Sequence, residues 1–206
     1  MTNRLKPEVQ AFMERLEPSA VPQERQEILA NLAAFLQTKV DKKEMIHLNF
    51  ICTHNSRRSQ LCQVWAQIAA YCFGVENLQT FSGGTEATAF HPNAVRALAG
   101  SGLDIAKEDK ADNPIYTVRY AQGADPIKCF SKVYDDPANV TPFIAVMTCS
   151  DAETNCPFIP EAEARFPIKY EDPKKSDGTP LQDAVYAERS RQIAAEMMYL
   201  FSQVKK

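Results

Sequence analysis

The sequence predicts an α/β fold, with a four-stranded, mostly parallel sheet flanked by helices, an N-terminal helical hairpin and an inserted β-hairpin. Apolar strand-like runs alternate with helical patterns from residue 45 onward, which is typical of a parallel sheet covered on both faces. Two helical patterns precede them, and two β-prone segments interrupt them. We therefore divide the chain into an extension, 1–44, and a catalytic domain, 45–206, with an insertion at 107–142.

Composition narrows the class of protein. The 206 residues suit one domain with an addition, and a net charge of -3 argues against a general nucleic-acid binder. No apolar run is long enough to cross a membrane, and the first ten residues do not resemble a secretion signal. We expect a cytoplasmic location, where six cysteines are core thiols, metal ligands or catalytic groups rather than structural disulfides.

The extension contains two apolar stripes at helical spacing. The first is formed by Val9, Phe12, Met13 and Leu16, and the second by Ile28, Leu32, Phe35 and Leu36. Pro18 and Pro22 end the first pattern, and Ser19 is a candidate cap for the second. A pair of helices packed on the main domain is the simplest interpretation.

Four apolar runs are predicted strands, at 45–51, 78–84, 142–149 and 166–173. Helices follow the first two strands, and an amphipathic helix at 184–204 closes the chain. Between 107 and 142, the segments "NPIYTVRY" and "IKCFSKVY" flank a turn and predict a hairpin.

In parallel α/β sheets, functional sites lie beyond the carboxyl ends of the strands. Cys52, Gly83, Cys149 and Asp172 all fall at such ends. Residues distant in the chain are therefore expected to meet at one edge of the sheet.

The stretch "CTHNSRRS", residues 52–59, joins the first strand to a helix with C-x5-R-S spacing. Backbone N–H groups and the helix dipole at such a turn favour an oxyanion and a thiolate, so Cys52 is a candidate nucleophile. Arg58 offers a planar fork to two oxygens, and Ser59 can donate a hydrogen bond to the sulfur. The alternative is a buried cysteine at a strand end with two solvated arginines.

A cysteine-dependent phosphatase also needs a general acid. Two Asp-Pro pairs are candidates, Asp172 in "YEDP" and Asp136 in "YDDP". Asp172 is the better candidate because its strand should end beside Cys52. We interpret Asp136 as a turn residue in the insertion.

Taken together, these residues resemble the low-molecular-weight protein tyrosine phosphatase superfamily and, within it, the thioredoxin-coupled arsenate reductases. The matching segments are "FICTHNSRRSQ", "FSGGTEATAFHPNAV", "VMTCSDAETNCPFIP" and "YEDP", which span most of residues 45–206. The segment "CSDAETNCPFIP" indicates the reductases in particular. The first forty residues and the 107–142 stretch lie outside the usual compact form of the family.

The resemblance implies a role for each matching position. Cys52 would attack arsenate, Cys149 would attack the adduct to release arsenite, and Cys156 would take over the disulfide. Asp172 would be the acid. The oxyanion would be held by Thr53, His54, Asn55, Ser56, Arg57, Arg58 and Ser59, with Asn55 organising the loop and Ser82 packed nearby. An external thioredoxin or similar thiol would be the reductant, and no bound cofactor or metal is expected.

The spacing of Cys149 and Cys156 allows a physical test of that relay. Two residues seven apart in a continuous helix are separated by roughly 10.5 Å along its axis. A disulfide needs Cα atoms within about 7 Å, so the segment would have to unwind for the bond to form. The alternative is one core thiol and one loop thiol.

Some residues depart from the family pattern. His54 and Arg57 replace small or neutral residues, and both are expected to raise the positive potential of the loop. Lys174 and Lys175 stand after Asp172-Pro173, where members specific for phosphotyrosine carry an aromatic residue. Cys72 is expected to pack in the core.

Three hypotheses follow. The leading one is an arsenate reductase that uses a disulfide relay. The second is a phosphatase acting on phosphotyrosine or small phosphate esters, which needs Cys52, Arg58 and Asp172 but neither Cys149 nor Cys156. The third is a non-catalytic oxyanion-binding regulator that uses the N-terminal helices to contact a partner.

Overall fold

The computed structural model describes residues 5–108, 111–155 and 158–205 and confirms the predicted α/β class. Its helices are α1 Pro7–Met13, α2 Gln23–Asp41, α3 Arg58–Phe73, α4 Pro92–Gly100, α5 Ser150–Asn155 and α6 Gln182–Ser202. Its strands are β1 Ile46–Cys52, β2 Leu78–Gly84, β3 Asp104–Lys107, β4 Tyr116–Arg119, β5 Ile127–Cys129, β6 Phe143–Met147 and β7 Ala162–Pro167.

The main sheet has the order β2-β1-β6-β7, and every pair in it is parallel. Cys52 pairs with Gly84 on one side of β1, and Ile51 pairs with Met147 on the other. The carboxyl ends of the strands therefore meet at one edge, as the sequence predicts.

The fourth strand occupies 162–167, earlier than the predicted 166–173. Pro167 has no N–H to donate and ends the ladder. The chain nevertheless continues beside β6, because the N–H groups of Ile168 and Tyr170 donate to the carbonyls of Met147 and Thr148. This continuation brings Asp172 to the edge of the sheet where Cys52 lies.

The insertion forms a separate antiparallel sheet with the order β3-β4-β5. The predicted hairpin is β4 and β5, whereas β3 was not predicted from the sequence. Its four residues are mostly exposed, so they lack the apolar alternation that marks a strand. After β5, residues 131–134 return to the main sheet, where Gly84 N–H donates to Lys132 O and Tyr134 N–H donates to Gly84 O.

Both N-terminal helices share one hydrophobic core with the sheet. Phe12 of α1 stacks on Trp65 of α3 with ring centroids 5.1 Å apart. Arg25 of α2 donates two hydrogen bonds to Glu196 of α6, the shorter being 2.6 Å. α2 begins at Gln23 directly after Pro22, so Ser19 is not its cap.

The remaining cysteines differ in burial. Cys62 and Cys129 are fully buried, and burial raises the pKa of Cys129 to about 12. The expectation that Cys72 packs in the core is wrong, because its side chain is exposed near the end of α3. No helix within the described ranges is long and apolar enough to cross a membrane.

Candidate active site

The loop between β1 and α3 is built to present backbone N–H groups. Within the described part of the chain, the N–H groups of residues 53–59 donate no hydrogen bond to any protein acceptor. Asn55 has φ 45°, a left-handed conformation that asparagine tolerates better than most residues. A run of unpaired N–H groups at a helix start is an anion-binding arrangement.

Cys52 lies at the end of β1 with only 3% of its surface exposed. Its Sγ is 3.1 Å from Ser59 Oγ. Asn55 Nδ2 donates to the same Ser59 Oγ at 2.8 Å, which leaves the hydroxyl hydrogen of Ser59 free to point at the sulfur. A hydrogen bond from Ser59 would stabilise the Cys52 thiolate.

Asn55 connects the loop to two other elements. Its Oδ1 accepts from the backbone N–H of Lys132 at 2.9 Å and from Gln60 Nε2 at 3.2 Å. Gln60 Nε2 also donates to Phe130 O at 2.9 Å. These contacts are buried, so the loop shape depends on the segment that follows β5.

The other loop residues make local contacts. Ser56 Oγ donates to Ala89 O at 2.7 Å, and His54 O accepts from Ser131 Oγ at 2.9 Å. The ring of His54 is about half exposed, and its Nε2 lies 3.7 Å from Glu86 Oε2. The expected rise in positive potential from His54 is therefore offset by a neighbouring carboxylate.

Arg58 holds the predicted acid. Its Nη2 donates to Asp172 Oδ2 at 2.7 Å, and its Nη1 donates to Tyr170 O at 3.1 Å. Its Nε is buried and has no hydrogen-bond partner among the described residues. Arg58 thus anchors the Asp172 segment beside the loop and retains one buried donor.

Arg57 contacts different residues from those that Arg58 contacts. Its Nε donates to Tyr186 OH at 2.6 Å and its Nη2 donates to Asp177 Oδ2 at 2.9 Å. Burial lowers the pKa of Arg57, but hydrogen bonding to Tyr186 and the charges of Asp172 and Asp177 raise it overall. Its charge is therefore paired with Asp177 rather than free to add to the potential of the loop.

Cys149 is 1% exposed and belongs to the same buried cluster as Cys52. Its Sγ is 3.6 Å from Thr53 Oγ1 and accepts a hydrogen bond from Ala152 N–H at 3.3 Å. The following residues, 150–155, are helical. Cys156 lies outside the described residues, so its place in the relay stays a prediction.

Two other candidate residues, Asp136 and Ser82, lie away from the Cys52 sulfur. Asp136 Oδ1 accepts from Ala138 N–H at 2.8 Å, which is the predicted turn contact. Ser82 is buried on β2, and its hydroxyl donates to Gln63 Oε1 at 2.7 Å rather than to the loop. In the described ranges, no three His, Cys, Asp or Glu side chains are arranged to hold a metal ion.

Comparison with solved structures identifies the class of the fold. A crystal structure of a YwlE mutant from Bacillus subtilis matches with a TM-score of 0.54 and 16% identity, over 78% of this chain and 99% of that one. A low-molecular-weight protein tyrosine phosphatase from T. tengcongensis matches with a TM-score of 0.50 and 15% identity, over 77% and 99%. The fold is that of the low-molecular-weight protein tyrosine phosphatases.

Curated relatives identify the family. The arsenate reductase of Bacillus licheniformis is 26% identical over 154 residues, covering 75% of this chain and 93% of that protein. Arsenate reductase 2 of Staphylococcus epidermidis is 30% identical over 134 residues, covering 65% of this chain and 81% of that protein. No family model matches the sequence. On the strength of these relatives, the chain belongs to the arsenate reductase family.

Sequence reasoning missed four residues that shape this site, namely Gln60, Lys132, Asp177 and Tyr186. Gln60 adjoins the motif, and Asp177 stands five residues after Asp172 in "DPKKSDG", so both could have been considered. Lys132 contributes to the loop through its backbone N–H, which any residue type except proline supplies. No sequence signal marks such a contact.

Proposed function

We propose that this chain is a cytoplasmic arsenate reductase that uses Cys52, Cys149 and Cys156 in turn and holds no bound cofactor. The observation that supports this most strongly is a second buried thiol at the loop. Cys149 shares a buried cluster with Cys52, and its sulfur is 3.6 Å from the hydroxyl of loop residue Thr53. Hydrolysis through a phosphocysteine needs Cys52, Arg58 and Asp172 but no second thiol, whereas the disulfide relay requires one.

In the first step, the unpaired N–H groups of residues 53–59 and the Arg58 side chain hold the arsenate oxygens. The Cys52 thiolate attacks arsenic, an As–S bond forms, and one arsenate oxygen leaves as water after protonation by Asp172. Asp172 accepts from Arg58 Nη2 at 2.7 Å, which keeps the acid at the loop. Arsenic is still As(V) in this adduct.

In the second step, the Cys149 thiolate attacks the sulfur of Cys52. The Cys52–Cys149 bond forms and the As–S bond breaks, with its electron pair remaining on arsenic. Arsenic is thereby reduced to As(III) and leaves as arsenite, while the two sulfurs are oxidised together by two electrons.

In the third step, Cys156 attacks Cys149, and Cys52 departs as a thiolate ready for another turnover. The segment 150–155 is helical, and a helix would hold Cys149 and Cys156 roughly 10.5 Å apart along its axis, so the helix must unwind. Unwinding would expose the Cys149–Cys156 bond to an external dithiol such as thioredoxin, which supplies the two electrons.

A coupled assay tests the relay. Arsenate-dependent NADPH oxidation is measured with thioredoxin and thioredoxin reductase for wild type, Cys149→Ser and the matched control Cys62→Ala. We expect Cys149→Ser to abolish turnover and Cys62→Ala to retain it, because Cys62 is a buried thiol that the relay does not use. Mass spectrometry after one turnover should detect the Cys149–Cys156 disulfide. Equal turnover by wild type and Cys149→Ser would overturn the proposal.

The second candidate function is hydrolysis of phosphate esters, which would use the same loop and the Asp172 side chain that Arg58 holds at 2.7 Å. Phosphate and arsenate share shape and charge, so the loop and the acid serve both reactions. Aryl-phosphate hydrolysis that survives in Cys149→Ser and Cys156→Ser, without any arsenate turnover in wild type, would make hydrolysis the function of this site.

A further inference from the structure

A cleft separate from the active site lies between the main sheet and the inserted sheet. Its volume is about 860 Å³, within the usual range for sites that hold small organic molecules. The residues lining it come from β2, β5, α3 and the loops around them, and they include none of residues 52–59, Cys149 or Asp172. β2 and β5 are the outer strands of their two sheets, so the cleft runs between two sheet edges.

The cleft contains a buried cation. Lys132 lines it and is only 4% exposed. In the described part of the chain, its ammonium group makes no hydrogen bond or ion pair, and its recorded partner is the ring of Phe130, with Nζ 4.4 Å from the ring centroid. Burying a cation without a direct ion pair is costly, and the charge of Asp136 only partly offsets the effect of burial on Lys132. An anion bound at this position would relieve that cost.

The cleft has polar and apolar walls, and its charged lining residues besides Lys132 are Lys128, Glu76 and Asp125. The walls include Leu78, Phe81, Ile127, Phe130 and Val140. Lys128, Glu76 and Asp125 are exposed, whereas Lys132 is buried beside the apolar wall. A buried cation next to an apolar wall complements a molecule with one acidic group and an apolar body.

The edges of the two sheets are already blocked against an added peptide strand. Gln63 Nε2 donates to both Thr80 O and Lys128 O at 3.2 Å, and Gln67 Oε1 accepts from Thr80 N–H at 3.1 Å. A peptide that adds to a sheet needs these backbone groups free. The cleft therefore favours a small molecule over a polypeptide.

We propose that this cleft is a second binding site for an amphipathic organic anion, an aryl or alkyl carboxylate or sulfonate. The acidic group lies on the Lys132 ammonium group, and the apolar body lies between β2 and β5.

The probe for this site is 8-anilinonaphthalene-1-sulfonate, an aryl sulfonate whose fluorescence rises when it binds. Lys132→Met keeps the length of the side chain and the backbone N–H that donates to Asn55, but removes the charge. We expect it to weaken binding about 10- to 100-fold, the range for loss of a charged hydrogen bond. The matched control is Lys128→Met, because Lys128 lines the same cleft but is exposed; its affinity should change less than about twofold.

A second variant and the pH dependence of probe binding test the proposal even if the Lys132→Met substitution disturbs the fold. Gln79→Trp places a large ring on an exposed cleft residue of β2 and should also block the probe. Burial lowers the pKa of Lys132 to about 8, while the facing groups, Cys129 and Asp136, act in the opposite direction. The affinity of wild type should therefore fall as the pH rises through about 8, whereas that of Lys132→Met should not.

Three results would overturn the proposal. The first is that Lys132→Met binds the probe as tightly as wild type. The second is that Lys128→Met and Lys132→Met lose the same amount of affinity for the probe. The third is that Gln79→Trp binds the probe as tightly as wild type.

Discussion

Two segments distant in sequence hold the oxyanion loop, and they do so by different kinds of contact. The first, 131–139, is the insertion segment, and it contacts the loop through uncharged hydrogen bonds such as Lys132 N–H to Asn55 Oδ1 at 2.9 Å. The second, 170–178, is the acid segment, and it contacts the loop through the ion pairs Arg58–Asp172 and Arg57–Asp177. The insertion segment supports the shape of the loop, whereas the acid segment carries Asp172, the proposed acid, and pairs with both loop arginines.

The difference follows from burial. Asn55 is fully buried, so its partners must be neutral groups that satisfy its amide without bringing a charge into the core. Asp172 and Asp177 each keep about 30% of their side chains exposed, so ion pairs are tolerated there and are weakened by salt. Four predictions test whether architecture and chemistry are divided in this way.

The largest expected effect is on catalysis by the acid segment. Asp172→Asn removes the proposed proton donor and should lower kcat by about 10²- to 10⁴-fold, the usual contribution of general acid catalysis. Asp136→Asn in the insertion segment is the control, because Asp136 only closes a turn. Steady-state arsenate or aryl-phosphate turnover measures both. Equal losses in the two variants would break the comparison.

The second largest effect is expected on the conformation of the oxyanion loop. Asn55→Ala removes the acceptor of the buried Lys132 N–H and the donor to Ser59, at a position with φ 45°. We expect a loss of about 3 kcal/mol in the free energy of unfolding, since a buried N–H is left unpaired. Urea unfolding measures the stability, and calorimetric titration with phosphate should show that binding is lost as well. Unchanged stability would show that the insertion segment does not support the loop.

A close backbone approach provides the third test. A Cβ at Gly84 would lie 2.6 Å from Thr53 O and 2.8 Å from Asn55 N, so Gly84→Ala must displace the loop. We expect a loss of about 1–3 kcal/mol in unfolding free energy together with weaker phosphate binding. Gly100→Ala is the matched control, because nothing lies within 4 Å of its added Cβ, and it should stabilise α4 by about 0.5–1 kcal/mol. A loss of stability without weaker phosphate binding would separate Gly84 from the loop.

The smallest effect concerns pH. Burial raises the pKa of Asp177, but hydrogen bonding from Tyr186 and the charge of Arg57 outweigh burial and lower it overall. Because the pKa of Asp177 is lower in the folded than in the unfolded protein, the ionised carboxylate stabilises the fold at pH values above the unfolded pKa. This contribution is lost as the pH falls below about 4. Asp177→Asn should cost about 1 kcal/mol at neutral pH and reduce the acid dependence of unfolding. Identical pH profiles for variant and wild type would contradict this.

Local patterns in the sequence were enough to predict the loop, the two N-terminal helices and the edge where Cys52, Cys149 and Asp172 lie. Each depends on neighbouring residues, on spacing or on the general geometry of parallel sheets. Contacts between residues far apart in the sequence could not be predicted from such local patterns. Arg57 was expected to face the oxyanion, but Tyr186, which accepts from it, lies 129 residues further along the chain.

Two errors have simple physical causes. The fourth strand was placed too late because "FPIKY" is rich in strand formers, while Pro167 ends the ladder and the following residues only run alongside β6. Cys72 was assigned to the core from the apolar stripe of α3, but that stripe leaves the core where the helix ends at Phe73.

The hydrogen bond from Arg57 to Tyr186 has a consequence for the order in which the chain folds during synthesis. Arg57 lies in the loop between β1 and α3, yet Tyr186, the partner that fixes it, belongs to α6 and lies 129 residues further along the chain. During synthesis, a nascent chain can complete β1 and α3 long before α6 exists. Contacts of such long sequence separation form late in folding. The hydrogen bonds that join Tyr186 to Arg57 and Asp177 should therefore form only after α6 has been synthesised, and a chain truncated before residue 182 should hold Arg57 through Asp177 alone.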